Sequence, residues 1–215
     1  MLITYHGHSE FLIEGEGGFS ILTDPYDAQV GYPLRAWTVD AVTVSHAHGD
    51  HNATEKALGA PAIVDGAGVW RLGPEITVTA IPSFHDDRQG ALRGKNLMMK
   101  LEMEELTVAH LGDLGEELSP AQCAALGHVD VLMLPVGGFY TIDARAACRV
   151  VRALSPAVVI PMHYKTAVNA DWPIADEQAF LRLMGAERVA PMPLLRVTRG
   201  DLSEQPPLAL LLPQA

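Results

Sequence analysis

Cysteine is scarce in this chain, and several other shortages narrow its biochemistry before any motif is read. Among 215 residues only Cys123 and Cys148 occur, each inside a predicted helix. They read as small core residues in a reducing compartment rather than as a disulfide. Long apolar runs are also missing. Leu208-Ala209-Leu210-Leu211-Leu212 is among the longest, far short of the about 20 residues that cross a bilayer. Met1 to His6 lacks a basic segment leading into an apolar one, so no secretory signal is read and cytoplasm is the expected location. Basic residues are outnumbered, 15 against 26 acidic, for a net charge of −11. That balance argues against a general nucleic-acid binder, which needs a broad basic face, while leaving room for a local basic pocket. No low-complexity block and no 20–50-residue repeat stands out. What is present is 48% apolar residues with ordinary glycine and proline content. A chain of this length can bury a sizeable core, and residues 1–215 are read as one domain.

The informative stretch is Ser45-His46-Ala47-His48-Gly49-Asp50-His51. Before it, Asp40-Ala41-Val42-Thr43-Val44 reads as a buried strand. After it, Asn52 with Glu55 three residues on reads as a capping box opening a helix over 53–58 that stops at Gly59. Three histidines and an aspartate therefore fall in a turn, where side chains one to three residues apart can converge on a point. Imidazole nitrogens and carboxylate oxygens are preferred ligands of zinc and its first-row neighbours. A buried cluster of histidines without a metal or partners would be costly.

Three further sites have the same layout, a strand running into a potential ligand. Ile76 to Ile81 alternates cleanly and leads to Pro82-Ser83-Phe84-His85-Asp86. Leu106 to Ala109 ends in His110-Leu111-Gly112-Asp113. Ala157 to Ile160 ends in Pro161-Met162-His163-Tyr164. Asp24 precedes Pro25 after the third early strand, where a simple turn is one reading. His6 and His8 read as structural. The loop 86–96 carries Arg88, Arg93 and Lys95, as a solvated hairpin or as a lid bringing positive charge to an anion. Helices are predicted after Ser119-Pro120, over Asp143–Leu154 and over 174–184, with a strand pair after 193. Gly137 and Gly138 allow tight backbone beside a pocket that Tyr140 can face.

These motifs, in this order, resemble the metallo-β-lactamase superfamily over residues 1 to 200. His-Leu-Gly-Asp-Leu-Gly, Pro-Met-His-Tyr and the Phe-His-Asp loop look like its compact subgroup of ascorbate-6-phosphate-lactonase-like hydrolases. The resemblance implies an α/β fold, a four-layered αβ/βα sandwich of two mixed sheets with helices on the outer faces. It implies that His46, His48 and His85 hold one metal, Asp50, His51 and His163 a second, and that Asp113 bridges them. It gives Asp24 a role in supporting the metal-binding loop and leaves His110 to a supporting or packing role.

Two divalent cations sharing a water would bring its pKa near neutrality for attack on a carbonyl or phosphoryl centre. Asp50 is then placed to accept or relay a proton. Zinc suits the nitrogen-rich set best, with manganese or iron tolerated. Arg88, Arg93, Lys95 and Lys165, in or beside the predicted site loops, point to a small anionic ester, lactone or phosphodiester as substrate, with Arg93 and Tyr140 as candidate contacts to it. A secreted β-lactamase and an RNA-processing nuclease fit less well, for want of an export signal and a basic arm. A non-catalytic metal-dependent binding or sensor protein is the competing class. A di-iron flavoprotein ranks last because no flavin domain follows residue 200. A homo-oligomer is compatible with the sequence, but no feature decides it.

Overall fold

The central strands carry apolar side chains on both faces, and the fold buries both. The computed structural model describes residues 1–214. In chain order its elements are β1 (Leu2–Gly7), β2 (Glu10–Glu14), β3 (Ser20–Thr23), β4 (Trp37–Thr38), β5 (Ala41–Thr43), β6 (Ala57–Leu58) and β7 (Ala62–Val64). Then follow β8 (Gly68–Gly73), β9 (Ile76–Phe84), β10 (Lys95–Met103), β11 (Leu106–His110), α1 (Pro120–Leu126), β12 (Val131–Pro135), α2 (Ala144–Leu154), β13 (Val158–Met162), α3 (Gln178–Leu183) and β14 (Leu194–Arg196). One six-stranded sheet has the order β14-β1-β2-β3-β5-β7, the other β13-β12-β11-β10-β9-β8. Both are mixed. β3, β5 and β7 run parallel, as do β11, β12 and β13, while the remaining neighbours are antiparallel.

Alternation assigns the layers. Tyr5, Phe11 and Ile13 from the first sheet meet Val78, Met99, Leu101, Val131 and Ile160 from the second in the central core. The odd neighbours, Met98, Ala109, Leu132, Leu134 and Val159, face the other way and pack beneath α1, α2 and α3. α1 begins with the capping box that Ser119-Pro120 announces, Ser119 and Gln122 exchanging hydrogen bonds. α2 is capped by the Asp143 side chain on Ala146 N–H and buries Ala147, Val150, Val151 and Leu154. Two mixed sheets packed face to face, with helices outside the second, give the sandwich that the resemblance implies, its α-helical layer on one side. Among the described residues no helix is long and apolar enough to cross a membrane.

Local departures from the sequence reading have identifiable causes. No α-helix forms over 53–58, and Asn52 and Glu55 make no capping box. Thr54–Lys56 closes a single 3-10 turn, and Ala57–Leu58 pairs with β4. The buried Lys56 ammonium is drawn inward to the Glu10 carboxylate and the Tyr26 carbonyl, which an outward helix face would prevent. The outer side of the first sheet is therefore covered by Trp37, Ala57 and their neighbours rather than by an α-helix. The helix expected over 174–184 is shortened to 178–183. Its first residues run extended instead, because Ala175 N–H donates to Gly137 and its carbonyl accepts from Lys165. After 193, β14 pairs with β1, while 207–212 makes only isolated bridges.

Because β9, β11 and β13 point the same way, as do β3 and β5, their C-terminal ends gather at one edge of the sandwich. Asp24, Ser45, His85, Asp113 and His163 all follow those ends. Carboxyl edges of strands are where α/β sheets commonly place ligands.

Candidate metal centre

The turn after β5 is fixed by one buried carboxylate. Asp24 accepts from Ser45 N–H at 2.7 Å, from the Ser45 hydroxyl at 2.6 Å and from His51 Nδ1–H at 2.8 Å. With its hydroxyl proton given to Asp24, Ser45 Oγ can only accept from His46, whose Nδ1 lies 2.9 Å away. Both histidines therefore carry their proton on Nδ1 and turn Nε2 lone pairs inward, the tautomer a metal ligand needs. Burial opposes ionisation of Asp24, yet the hydrogen bond and charge of His51 hold its pKa below the usual range.

Gly112 and Gly115 place the next two candidate ligands, Asp113 and His85. Gly112 has φ +54, and a Cβ there would overlap the Ser45 side chain and Asn96 Oδ1. The space goes to buried Asn96, which accepts from Asp113 N–H at 2.9 Å and donates to the Leu111 carbonyl at 3.0 Å. At Gly115 a Cβ would overlap the backbone of His85 and Asp86, so only glycine lets this loop pass against the end of β9. His163 follows β13 with φ +50 and donates its N–H to the His8 carbonyl at 2.8 Å.

The outcome is a continuous cluster. His46, His48 and His85 present donor atoms within 4.8 Å of one another, as do His8, Asp50, His51 and His163. Asp113 lies between the groups. Its Oδ2 is 3.2 Å from His85 Nε2 and 3.2 Å from His163 Nε2, and its Oδ1 is 3.3 Å from His51 Nε2. His46 Nε2 is buried with no hydrogen-bond partner. An imidazole lone pair aimed at other donors is costly unless something accepts it, and a divalent cation does. The donor chemistry fits such ions.

Electrostatics agree with that use at His46 and His8. Burial, reinforced by the neighbouring His51, lowers the His46 pKa to about 3, leaving its ring neutral. Burial and the nearby His163 likewise lower His8 to about 4. His51 goes the other way: burial disfavours its charge, but Asp113 and Asp24 flank it and raise its pKa. For Asp113 burial again opposes ionisation, while His163 and His51 pull its pKa well below the carboxylate range. Asp50 is depressed too, burial being outweighed by the His8 hydrogen bond and the His51 charge.

His48, Asp50, His85, Asp113 and His163 line a cavity of about 360 Å³ whose other walls are Arg93, Tyr140 and Trp172. The Arg93 guanidinium carbon sits 5.5 Å from the Tyr140 ring centroid and 5.9 Å from that of exposed Phe139. The loop carrying it is no free hairpin. Asp86 accepts four backbone N–H groups, from Arg88, Gly90, Leu92 and Arg93, at 2.7–2.9 Å. A neighbouring cavity of about 670 Å³ shares His48 and Arg93 and continues between Phe84, Pro82 and Leu97, with Lys95 on its wall. His110 is apart from the cavity, its Nε2 bonded to the Ser9 carbonyl at 2.9 Å and its ring against Phe11. His6 packs at a tilt against Trp37, 4.4 Å between centroids, away from the cluster.

Sequence reading missed His8, Trp172, Asn96 and the clamp made by Asp86. Gly7-His8-Ser9 looks like a turn. The usable signal was its position, since a histidine directly after a strand is the same layout that singled out His85.

Residues 2–163 match the β-lactamase superfamily domain. A UPF0173 metal-dependent hydrolase of Pyrococcus furiosus is 32% identical, the match covering 85% of this chain and 92% of that protein. A second, from Archaeoglobus fulgidus, is also 32% identical over 77% of this chain and 84% of its own. The crystal structure of a Thermotoga maritima protein, described as a Zn-dependent hydrolase of the metallo-β-lactamase superfamily, superposes with a TM-score of 0.80. It has 33% identity and covers 98% of this chain and 97% of that one. With the histidine and aspartate cluster at the strand ends, these likenesses identify the chain as a metal-dependent hydrolase of the metallo-β-lactamase superfamily, in the UPF0173 family.

Proposed function

We propose that the enzyme is a dinuclear hydrolase acting on a small anionic ester, lactone or phosphodiester. The observation that carries this reading is the Asp113 carboxylate, with His85 and His163 nitrogens each 3.2 Å from the same oxygen. One cation would be held by His46, His48 and His85 and the other by Asp50, His51 and His163, with Asp113 shared. Zinc fits the nitrogen-rich set, and manganese or iron tolerates its carboxylates. When bound, two such ions activate water near neutral pH and stabilise charge developing on the attacked centre.

The chain's own groups do the rest. Asp50 is the one carboxylate of the cluster with an open side, its side chain 27% exposed against 2% for Asp113. It is therefore the group that can pass a proton between the cavity and solvent. Arg93 brings a fixed positive charge to an otherwise acidic protein, and from its place 5.5 Å from the Tyr140 ring its guanidinium N–H groups can bind an anion in the cavity. The apolar walls of the adjoining cavity, Pro82, Phe84 and Leu97, suit a substrate with a hydrocarbon or ring portion.

The test is elemental analysis of the purified enzyme together with hydrolysis of a generic phosphodiester and a generic lactone. Near two metals per chain, turnover lost on chelation and turnover restored by zinc, manganese or iron are expected. Full occupancy without turnover of either class would favour a metal-dependent binding or sensor protein. Failure to take up metal would reject the mechanism.

A further inference from the structure

His8 belongs to no part of the histidine motif, yet its side chain is wholly buried and its Nε2 faces the cluster. That nitrogen lies 3.1 Å from His51 Nε2 and 3.2 Å from Asp50 Oδ2. Donors around a five-coordinate zinc ion at 2.0–2.1 Å stand about 2.9–3.5 Å from their neighbours, so these are spacings compatible with ligands sharing an ion. We propose that His8 is a further side-chain donor to the cation held by Asp50, His51 and His163, the fifth when the shared Asp113 is counted. This rests on the dinuclear reading above and extends it.

The alternative is that His8 only orients Asp50 by donating Nε2–H to it. Without a cation, that proton can go to Asp50 Oδ2 at 3.2 Å or to His51 Nε2 at 3.1 Å. His51 donates Nδ1–H to Asp24 at 2.8 Å, so a cation bound to His51 would take its Nε2 lone pair, and His8 Nε2 faces that same position. The ring is held by packing, its Nδ1 buried without a hydrogen-bond partner as are those of His85 and His163. It packs at 4.2 Å from the His163 ring and edge-on against Trp172 at 5.3 Å. Its backbone has φ +56, a conformation unfavourable for residues other than glycine. The His8 carbonyl fixes it there, accepting from the Tyr5 hydroxyl at 3.0 Å and from His163 N–H at 2.8 Å.

The experiment titrates the full metal-free chain with Zn²⁺ against a chromophoric chelator and with Co²⁺ by absorption, for wild type, His8→Phe and His8→Gln. Wild type should take two equivalents. His8→Phe should bind the first with wild-type affinity, which also reports a native fold, and the second at least about 100-fold more weakly. That exceeds the roughly 10–100-fold typical of losing an outer-shell partner. The cobalt spectrum should change in the second equivalent alone. His8→Gln, which can still donate to Asp50, should behave as His8→Phe does, and it carries the test if the phenylalanine variant fails to fold. Second-site affinity within about 10-fold of wild type with an unaltered cobalt spectrum would overturn the proposal, as would rescue by His8→Gln. A wild-type chain that binds only one equivalent would overturn the dinuclear reading itself.

Discussion

Asp24→Asn is the substitution that most cleanly separates metal affinity from folding. The backbone at Asp24 has φ +40, which asparagine tolerates better than most residues, and the side-chain volume barely changes. Asn Oδ1 can still accept from Ser45 N–H. Its Nδ2 now faces Ser45 Oγ and His51 Nδ1, both of which gave protons to the carboxylate at 2.6 and 2.8 Å. The amide donates where the carboxylate accepted, so the polarity of both bonds reverses. His51 must then carry its proton on Nε2. The freed Ser45 hydroxyl turns to donate to His46 Nδ1, 2.9 Å away, and moves that proton to Nε2 as well. Two inward lone pairs, one in each donor group, become N–H bonds aimed at the cations. Loss of an outer-shell partner costs roughly 10–100-fold in metal affinity, so each equivalent should weaken by about that factor. Stability should fall by only about 1–2 kcal/mol, since every bond is remade. Asp24→Ala instead strands three buried donors and should cost about 3–5 kcal/mol. Calorimetric titration with Zn²⁺ and a denaturant melt of the metal-free protein check both numbers. Wild-type affinity for both equivalents in a folded Asp24→Asn would refute the tautomer reasoning.

Gly112→Ala should lower the melting temperature by roughly 6–12 °C, about 3 kcal/mol, from the positive φ and the overlap with Ser45 and Asn96; calorimetry of the metal-free protein checks this. Arg93→Ala should raise KM for anionic substrates roughly 10- to 100-fold, from the loss of a charge-assisted contact, with kcat changed far less and neutral substrates unaffected. Asp86 is disfavoured as an anion by burial, but four backbone N–H donors lower its pKa to about 2. A carboxylate depressed in the folded state stabilises above its unfolded pKa, about 3.9, and loses that contribution as pH falls toward 2. Denaturant midpoints of wild type should therefore drop more steeply between pH 4 and pH 2 than those of Asp86→Asn.

The parts of the site legible in the sequence are those written locally. His46, His48, Asp50 and His51 lie within one turn, and His85, Asp113 and His163 each follow an apolar strand that alternation reveals. The sheets were legible for the same reason, since period-two patterning survives without tertiary knowledge. His8 was not, because its entry into the cluster depends on contacts across the sandwich. A register shift between Tyr5 and Gly7 in the β1–β2 pair turns it inward, and His163, from the other sheet, holds its carbonyl. The false helix at 53–58 fails similarly. Asn52 and Glu55 form a capping pattern on paper, but the ion pair of Lys56 with Glu10 pulls that segment into a single 3-10 turn. Asn96 and Trp172 had no local signature, since one is a buried bridge between loops and the other reaches the cavity from a distant segment.

Anomalous diffraction from crystals of the zinc-loaded protein decides whether two cations share Asp113. Two peaks are predicted, roughly 3.5–4 Å apart as in two-metal sites, one beside His46, His48 and His85 and the other beside Asp50, His51 and His163. A single peak at full zinc saturation, or two that do not both contact Asp113, would contradict it.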